Sequence, residues 1–303
     1  MIFGRHETFY LREGWLYKII NEMLKKNHNI FSKKEAAEIF GVGYNMVPAM
    51  KYWGEGMGII KHKREGTKNN YYLTKLGKII NEKDPHLEMI ETNWLLHIKL
   101  VSKIEHSTLW YWLFNIYEND VLITDDYVLM ITNWIIENEG KAVAEKTLMR
   151  DLLCLIQTYT REMKSYDLED NLICPLSSLG LIERFGGKII IKRVNEIDIP
   201  ISIFEYVLFE YIKNRGFNDL IYQINIRDLL LDINSPGRIL RCDSNGLIAL
   251  LSRINGEGRK SIFFDNVRIV TTAGLDNVEI TMGTNTNQIK ENGFYNIYGE
   301  SMK

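Results

Sequence analysis

The sequence has little of what builds covalent or metal-bound scaffolds. Of its 303 residues only three are cysteines, Cys154, Cys174 and Cys242, and no two of them form a Cys-x-x-Cys pair. Their spacing argues against a disulfide framework, a zinc ribbon and an iron–sulfur site. All six histidines lie within the first 106 residues, and none has the His-x-x-x-His spacing of a helical metal site.

Long apolar runs and nucleotide-binding loops are also missing. No window approaches eighteen uncharged apolar residues, and the opening Met-Ile-Phe-Gly-Arg-His-Glu lacks the apolar run and cleavage site of a signal peptide. We therefore expect a soluble, cytoplasmic protein with no membrane segment. There is no Gly-x-x-x-x-Gly-Lys-Ser/Thr phosphate loop and no Gly-x-Ser-x-Gly nucleophile elbow.

Charge is unevenly distributed along the chain. The net charge is −2, yet residues 1–80 hold 14 Lys or Arg against 7 Asp or Glu, and the remaining residues hold 23 against 32. A basic N-terminal part on an acidic body is typical of proteins that bind polyanions. Ordinary surface lysines in a small domain are the competing interpretation.

The basic part has the pattern of a helix-turn-helix. Helical spacing of apolar residues predicts a helix over Trp15–Leu24, and Ser32 with Glu35 predicts a capping box at the start of a second one. Gly41-Val42-Gly43 predicts a tight turn. A third helix follows with Asn45 as its N-cap, which puts Pro48 in the first turn, where proline is tolerated.

Two short strands and a further helix come next. Ile59–Arg64 and Tyr71–Thr74 flank a polar, glycine-containing loop and predict a β-hairpin, and Thr74 is placed to cap the following helix. This order predicts a winged helix-turn-helix whose third helix enters the major groove and whose hairpin meets phosphates. The expected DNA-binding residues are Tyr44, Asn45, Lys51, Tyr52, Lys61, Lys63, Arg64 and Lys68. Winged helices also serve as protein-interaction modules, which is the alternative.

The predicted fold class is mainly α with small β-hairpins. We expect three domains: a winged helix-turn-helix over 1–83, a helical domain over 84–195 ending in a second wing-like hairpin, and an α+β winged-helix-like domain over 196–303. In the last domain, helices are predicted at Ile203–Lys213, Asn225–Leu231 and Asn245–Ile254, with strands at Ser261–Phe264 and Val267–Thr272.

The segment before the first helix packs polar residues between aromatic ones. One interpretation is catalytic: Arg12 binds a phosphate through its fork of donors, while His6 and Glu7 assist and His6 transfers a proton. The other is structural, with Glu7, Thr8 and Arg12 fixing this segment to the body. For a metal-dependent nuclease, candidate pieces are Asp170, Glu183 and Lys188, or Asp265, Asp276 and Glu279. The spacing of these residues does not indicate a metal site, and ordinary charged surface positions explain them better.

Three segments resemble one prokaryotic family. These are His-Glu-Thr-Phe-x-Leu-Arg-x-Gly-Trp-Leu from His6, Gly41-Val42-Gly43-x-Asn45-Met46-Val47 followed by Lys51-Tyr52-Trp53, and Asn93-Trp94-Leu95-Leu96-His97. Their order and spacing resemble those of domain-of-unknown-function family 4007 (DUF4007) over nearly the whole chain. Arg5 stands where the family has a small residue. Tyr44 stands where it has Lys or Arg, which weakens the basic face of the third helix.

The resemblance implies a function on DNA. DUF4007 members resemble the DNA-nicking component of Ssp-type DNA phosphorothioation systems, which act in DNA modification and defence beside a cysteine desulfurase and an ATP-pyrophosphatase-like sulfurtransferase. It therefore implies binding to double-stranded DNA, those two partner classes, and Mg²⁺ or Mn²⁺ if the protein nicks; a homodimer is compatible with it. A non-enzymatic DNA-binding scaffold or a transcription regulator is the alternative.

Overall fold

The computed structural model describes residues 1–160, 173–216, 220–256, 261, 263–272, 275–283, 293–295 and 297–298. The chain divides into two compact units. The first comprises Met1–Leu113 and Tyr117–Lys192, and the second Phe114–Ile116 and Arg193–Lys303. The three-domain division of the sequence stays a prediction.

The first unit contains the helices and strands that the sequence pattern predicts most clearly. In chain order they are α1 (Trp15–Leu24), α2 (Ala36–Phe40), α3 (Met46–Gly56), β1 (Ile60–Glu65), β2 (Lys68–Leu73), α4 (Lys75–Lys83), α5 (Ile90–Val101), α6 (Thr108–Tyr111), β3 (Val121–Ile123), α7 (Thr124–Glu139), α8 (Glu145–Tyr159), β4 (Ile182–Phe185) and β5 (Lys188–Ile191). Short 3-10 turns lie at Ile30–Ser32 and Pro175–Leu179. A π-helical turn at Trp112–Ile116 follows α6, and its last three residues are assigned to the second unit.

Two helix starts in this unit test the predicted N-terminal caps. The Thr74 hydroxyl accepts a 3.0 Å hydrogen bond from the Gly77 amide, so its predicted cap of α4 is confirmed. The predicted capping box is wrong. Ser32 ends the preceding 3-10 turn, and α2 begins only after Glu35, with no side-chain cap. Ser32 belongs to the 3-10 turn and Glu35 itself is the N-cap residue of α2, so neither stands where a capping box needs it.

Sheets of the first unit are small and antiparallel. β1 pairs with β2, and a three-stranded sheet has the order β3-β5-β4. The hairpin β4–β5 confirms the second predicted hairpin. The sequence pattern does not predict β3, because three residues are too few to show an alternation.

The second unit repeats the order of strand, helices and hairpin. Its elements are α9 (Ile201–Asn214), β6 (Ile221–Asn225), α10 (Ile226–Leu231), α11 (Pro236–Leu240), α12 (Ser244–Ile254), β7 (Phe264–Thr272) and β8 (Leu275–Met282). The three predicted helices are confirmed as α9, α10 and α12. The predicted strand Val267–Thr272 is confirmed as part of β7. The described part of 261–264 contributes only Phe264, to the same strand, and β7 pairs with β8, which the sequence pattern does not predict. Residue 262 lies outside the described residues.

The two three-stranded sheets share one topology. In each, a strand precedes the helices and then pairs with the second strand of the later hairpin, giving the orders β3-β5-β4 and β6-β8-β7. Helices dominate and the sheets are small, which confirms the predicted class of mainly α with small hairpins. Within the described ranges, none of the helices has the length and apolarity that a membrane-spanning helix needs.

Candidate nucleic-acid interface and N-terminal arm

The start of α3 is open to solvent. Asn45 is its N-cap, as predicted, although its side chain makes no capping hydrogen bond, and Pro48 falls in the first turn. Tyr44 is 76% exposed, Asn45 is exposed and Lys51 is partly exposed. These three residues can therefore meet a ligand that approaches the beginning of the helix.

Tyr52 requires a correction, because its side chain is 5% exposed and belongs to the core. Its ring stacks on His106 with centroids 4.9 Å apart, and the backbone carbonyl of Tyr52 bonds the His106 ring at 3.0 Å. Burial raises the pKa of the Tyr52 hydroxyl well above its usual range. The segment before α6 covers a second side of α3, which the pattern of residues 1–83 alone does not reveal.

The hairpin β1–β2 has one face turned away from the body. Cross-strand partners share a face, and Lys61, Lys63 and Glu65 pair with Tyr72, Asn70 and Lys68. The other face carries Ile60 and Tyr71, which are both buried. We call the first set the outward face (Lys61, Lys63, Glu65, Lys68, Asn70 and Tyr72), and it holds three lysines against one glutamate.

The charged side chains of the outward face differ in whether they form ion pairs. Lys63 pairs with Glu65 at 2.9 Å, and this hydrogen bond raises the pKa of Lys63 and lowers that of Glu65. Asn70 also donates to Glu65, at 2.7 Å. Lys61 and Lys68 make no ion pair in the described part of the chain. Two ammonium groups are therefore available to an anion without the loss of an existing pair.

Arg64 lies on the other face, next to the turn of the hairpin. Its Nε–H donates to the carbonyl of Gly66 at 3.3 Å, and its side chain is exposed. The predicted basic residues of the hairpin are thus all at the surface, but they divide between two faces. A duplex lying along the outward face would meet the lysines rather than Arg64.

The N-terminal arm (residues 1–14) is held to the first unit by a buried histidine–aspartate pair. His6 is 1% exposed, and its Nε2 lies 2.9 Å from Oδ1 of Asp151 on α8, which is also 1% exposed. The amide of Gly4 donates to both oxygens of the same carboxylate, at 3.0 and 3.1 Å. Each carboxylate oxygen therefore has a donor, as a buried charge requires.

The partners of His6 define its tautomer. Nδ1 accepts a 3.2 Å hydrogen bond from the Thr8 amide, so Nε2 carries the proton that Asp151 accepts. Tyr52 and Trp110 stand edge-on to the ring at centroid distances of 5.7 and 5.8 Å. The buried imidazole has both nitrogens occupied, which suits it to anchoring the arm.

The three residues proposed for catalysis make different contacts. Glu7 is exposed and has a φ of 50°, whereas Arg12 lies over the rings of Phe9 and Trp15, at 5.8 and 6.0 Å from their centroids. Within the described chain no hydrogen bond or ion pair joins His6, Glu7 and Arg12 to one another. Asp151, which pairs with His6, is the residue that sequence reasoning missed, because nothing local links α8 to the arm.

The described residues offer no ready-made metal site. No three His, Cys, Asp or Glu side chains among them lie close enough together to hold an ion. Glu183 pairs with Lys192, and Glu279 pairs with Arg268 at 2.6 Å. Asp170 lies outside the described residues. We therefore assign no magnesium or manganese ligands to this chain.

Comparisons with known proteins cover almost the whole chain. The model of the family described as "Protein of unknown function (DUF4007)" matches residues 3–293. Two crystal structures, described as "Magnesium ion-bound SspB crystal structure" and "SspB crystal structure", align over 98% of this chain and 89% of theirs. Their sequence identities to this chain are 23% and 24%, and each has a TM-score of 0.81. This similarity shows a shared fold.

Proposed function

This chain belongs to the DUF4007 family, and on that premise we propose that it is the DNA-binding component of an Ssp-type DNA phosphorothioation system. The shared fold with SspB structures over 98% of the chain supports this assignment. The observation that carries the DNA-binding part is the outward face of the β1–β2 hairpin, where Lys61 and Lys68 have no ion-pair partner in the described residues.

We propose that residues 1–83 act as a winged helix-turn-helix. α2 and α3 are the two helices, Gly41–Gly43 is their turn, and β1–β2 is the wing. In such domains the second helix leads into the major groove with its N-terminal residues. Tyr44 and Asn45 are exposed there, so they are the proposed base-reading residues, while the lysines of the wing hold phosphates. The two three-stranded sheets are proposed as further winged-helix-like units.

DNA binding is tested by fluorescence anisotropy on a labelled duplex over a range of salt concentrations. The variant Lys61→Ala/Lys63→Ala/Lys68→Ala should bind all sequences more weakly. It should also lower the slope of log K against log salt by about 1.8, since Lys61 and Lys68 each supply one phosphate contact worth about 0.9, while Lys63 is held by Glu65. Arg64→Ala, on the other face, should change the slope less.

A matched control removes the same charge elsewhere in the first unit. Lys141, Lys146 and Arg150 are exposed around the start of α8, and their triple alanine variant should keep the affinity and the slope. An equal loss in both triple variants would mean that net charge rather than the wing determines binding. An unchanged slope in the wing variant would show that the wing does not contact DNA.

Nicking is the enzymatic part of the proposal. Supercoiled plasmid incubated with the protein and Mg²⁺ or Mn²⁺ should become open circles, and the wing variant should slow this conversion. Plasmid that stays supercoiled with every divalent metal contradicts nicking but leaves DNA binding intact. The proposed partners, a cysteine desulfurase and a sulfurtransferase-type protein, are tested by co-purification, and a homodimer by light scattering.

A second candidate is a non-enzymatic DNA-binding scaffold or transcription regulator. The contacts of His6 favour it, because the ring is buried and both of its nitrogens already have partners, Asp151 and the Thr8 amide. Under this alternative the duplex is bound, no strand is cut, and the modification enzymes or the transcription machinery are recruited.

A further inference from the structure

A groove of about 500 Å³ opens between the N-terminal arm and the turn that joins α2 to α3. Arm and α1 residues line one side, and residues of α2, the turn and the start of α3 line the other. The lining residues are Arg12, Glu13, Trp15, Lys18, Ala37, Glu38, Gly41, Val42, Gly43 and Met46. The wing does not contribute to this lining, so the groove is a separate feature of the same proposed DNA-binding region.

Arg12 is the unusual member of this groove. Its guanidinium lies over Phe9 and Trp15, and its Nε is buried without a hydrogen bond among the described residues. Glu13 and Glu38 line the same groove, yet neither forms an ion pair with Arg12 in the described part of the chain. The side chain is partly exposed, and its terminal N–H groups also have no hydrogen-bond partner in the described part of the chain, so an acceptor in the groove can bind them.

The charges around Arg12 favour an extended anion, which other basic groups also bind, over a small free anion. Lys18 adds a second positive charge, and its Nζ is held at the groove by a 2.8 Å hydrogen bond to the carbonyl of Phe40. Glu13 and Glu38 balance these two charges, so the groove as a whole does not concentrate small free anions. An extended polyanion held elsewhere by other basic groups can still place one phosphate against Arg12.

The groove lies where a helix-turn-helix would meet the phosphate backbone of DNA. In a helix-turn-helix bound to DNA, the second helix enters the major groove while the first crosses the backbone. The turn Gly41–Gly43 connects these two helices, and it presents little side-chain bulk to the groove. A Cβ built on Gly43 would meet nothing closer than Met46 at 3.9 Å.

We propose that this groove binds a phosphodiester of the DNA backbone, with Arg12 donating from its fork of N–H groups and Lys18 supplying a second positive charge. The inference rests on the proposed DNA-binding function and deepens it by adding a phosphate contact outside the wing. Arg12 is then a DNA-binding residue that acts independently of His6. Phe9 and Trp15 hold its guanidinium in place before DNA arrives.

The test compares Arg12→Met with Arg5→Met in the anisotropy titration. Both remove one positive charge from the same arm, but Arg5 is exposed and does not line the groove. Arg12→Met keeps an aliphatic stem over the two rings. It should weaken duplex binding about tenfold, as the loss of a charged hydrogen bond does, and lower the salt slope by about 0.9. Arg5→Met should leave both unchanged.

A second pair of variants keeps the proposal testable if Arg12→Met folds poorly. Gly43→Asp and Gly43→Asn add side chains of nearly equal size at an open position with no positive φ. Only the aspartate places a negative charge beside the proposed phosphate, so it should weaken binding while the asparagine variant binds as the wild type does. Equal binding by both Gly43 variants overturns the proposal.

The remaining outcomes separate this inference from the function on which it rests. If wild type binds DNA and Arg12→Met binds with the same affinity and slope, the groove is not a phosphate site, although DNA binding stands. If wild type binds no DNA, both proposals fail. Calorimetry with inorganic phosphate covers the other source of the ligand. Phosphate binding that depends on Arg12, with duplex binding unchanged, would assign the groove to a free anion and overturn the inference.

Discussion

The buried pair of His6 and Asp151 gives the sharpest prediction about stability. Asp151→Ala removes the acceptor of the Gly4 amide and of His6 Nε2, which leaves the first donor partly buried and the second one buried. A hydrogen bond to a charged group contributes about 1.5–3 kcal/mol, and the Asp151 carboxylate accepts from two groups, the Gly4 amide and His6 Nε2–H, so both bonds are lost together. We therefore expect Asp151→Ala to destabilise the first unit by about 3–5 kcal/mol, a large part of the 5–15 kcal/mol typical of a folded domain.

Tryptophan fluorescence in urea measures this loss selectively. All six tryptophans lie in the first unit, between Trp15 and Trp134, so the second unit is silent in this signal. Trp53 also reports on the arm directly, because its indole N–H donates to the carbonyl of Phe9 at 2.9 Å. Asp126→Ala, an exposed aspartate in the first turn of α7, is the matched control and should cost less than about 1 kcal/mol.

A double-mutant cycle completes the experiment. His6→Ala leaves the carboxylate of Asp151 with only the Gly4 amide, and the double variant removes both partners at once. The two changes should therefore be non-additive by about 1–3 kcal/mol. Additive losses, or a cost below about 1 kcal/mol for Asp151→Ala, would show that the pair does not anchor the arm.

Three further predictions concern packing, acid stability and thiol reactivity. Gly77→Ala should destabilise the first unit by about 1–3 kcal/mol in the same assay, since its Cβ would clash with the backbone carbonyl oxygen of Ile59, whereas Gly187→Ala meets nothing and should be neutral. Burial alone would raise the pKa of Glu22, but hydrogen bonds from Asn27 and Lys25 lower it. Ionised Glu22 therefore stabilises the fold above the unfolded pKa near 4.5, and this stabilisation is lost as the pH falls through the lower folded pKa. Glu22→Gln should thus lower the free energy of unfolding at pH 7 but not near pH 2. All three cysteines are buried, and burial raises the pKa of Cys174 to about 12, so a thiolate reagent at pH 8 should label none in the native protein and three after denaturation.

Local patterns predicted the parts of this fold that depend on local forces. The bounds of α1 and the start of α3 after Asn45 follow from helical periodicity, and the cap at Thr74 follows from a backbone donor three residues away. The hairpin β1–β2 follows from two short runs around a glycine-containing loop. Each of these elements is specified within about a dozen residues.

The features that sequence reasoning missed depend on residues far apart in the chain. Tyr52 is buried because His106 covers it, and the role of His6 depends on Asp151, which lies 145 residues later. β3 is recognisable only once β5 is beside it. An exposed face and a covered face of α3 look alike from residues 1–83, so the error at Tyr52 arises from tertiary contact rather than from the helix assignment.

The distance along the chain between the arm and its anchor also affects how the protein is made. During synthesis the arm leaves the ribosome long before α8 exists, and at about 5–20 residues per second the wait for Asp151 is roughly 7–30 seconds. Through this interval His6 and the aromatic residues of the arm have no native partner on α8. The contact that anchors the arm can therefore form only after about half of the 303 residues have been synthesised.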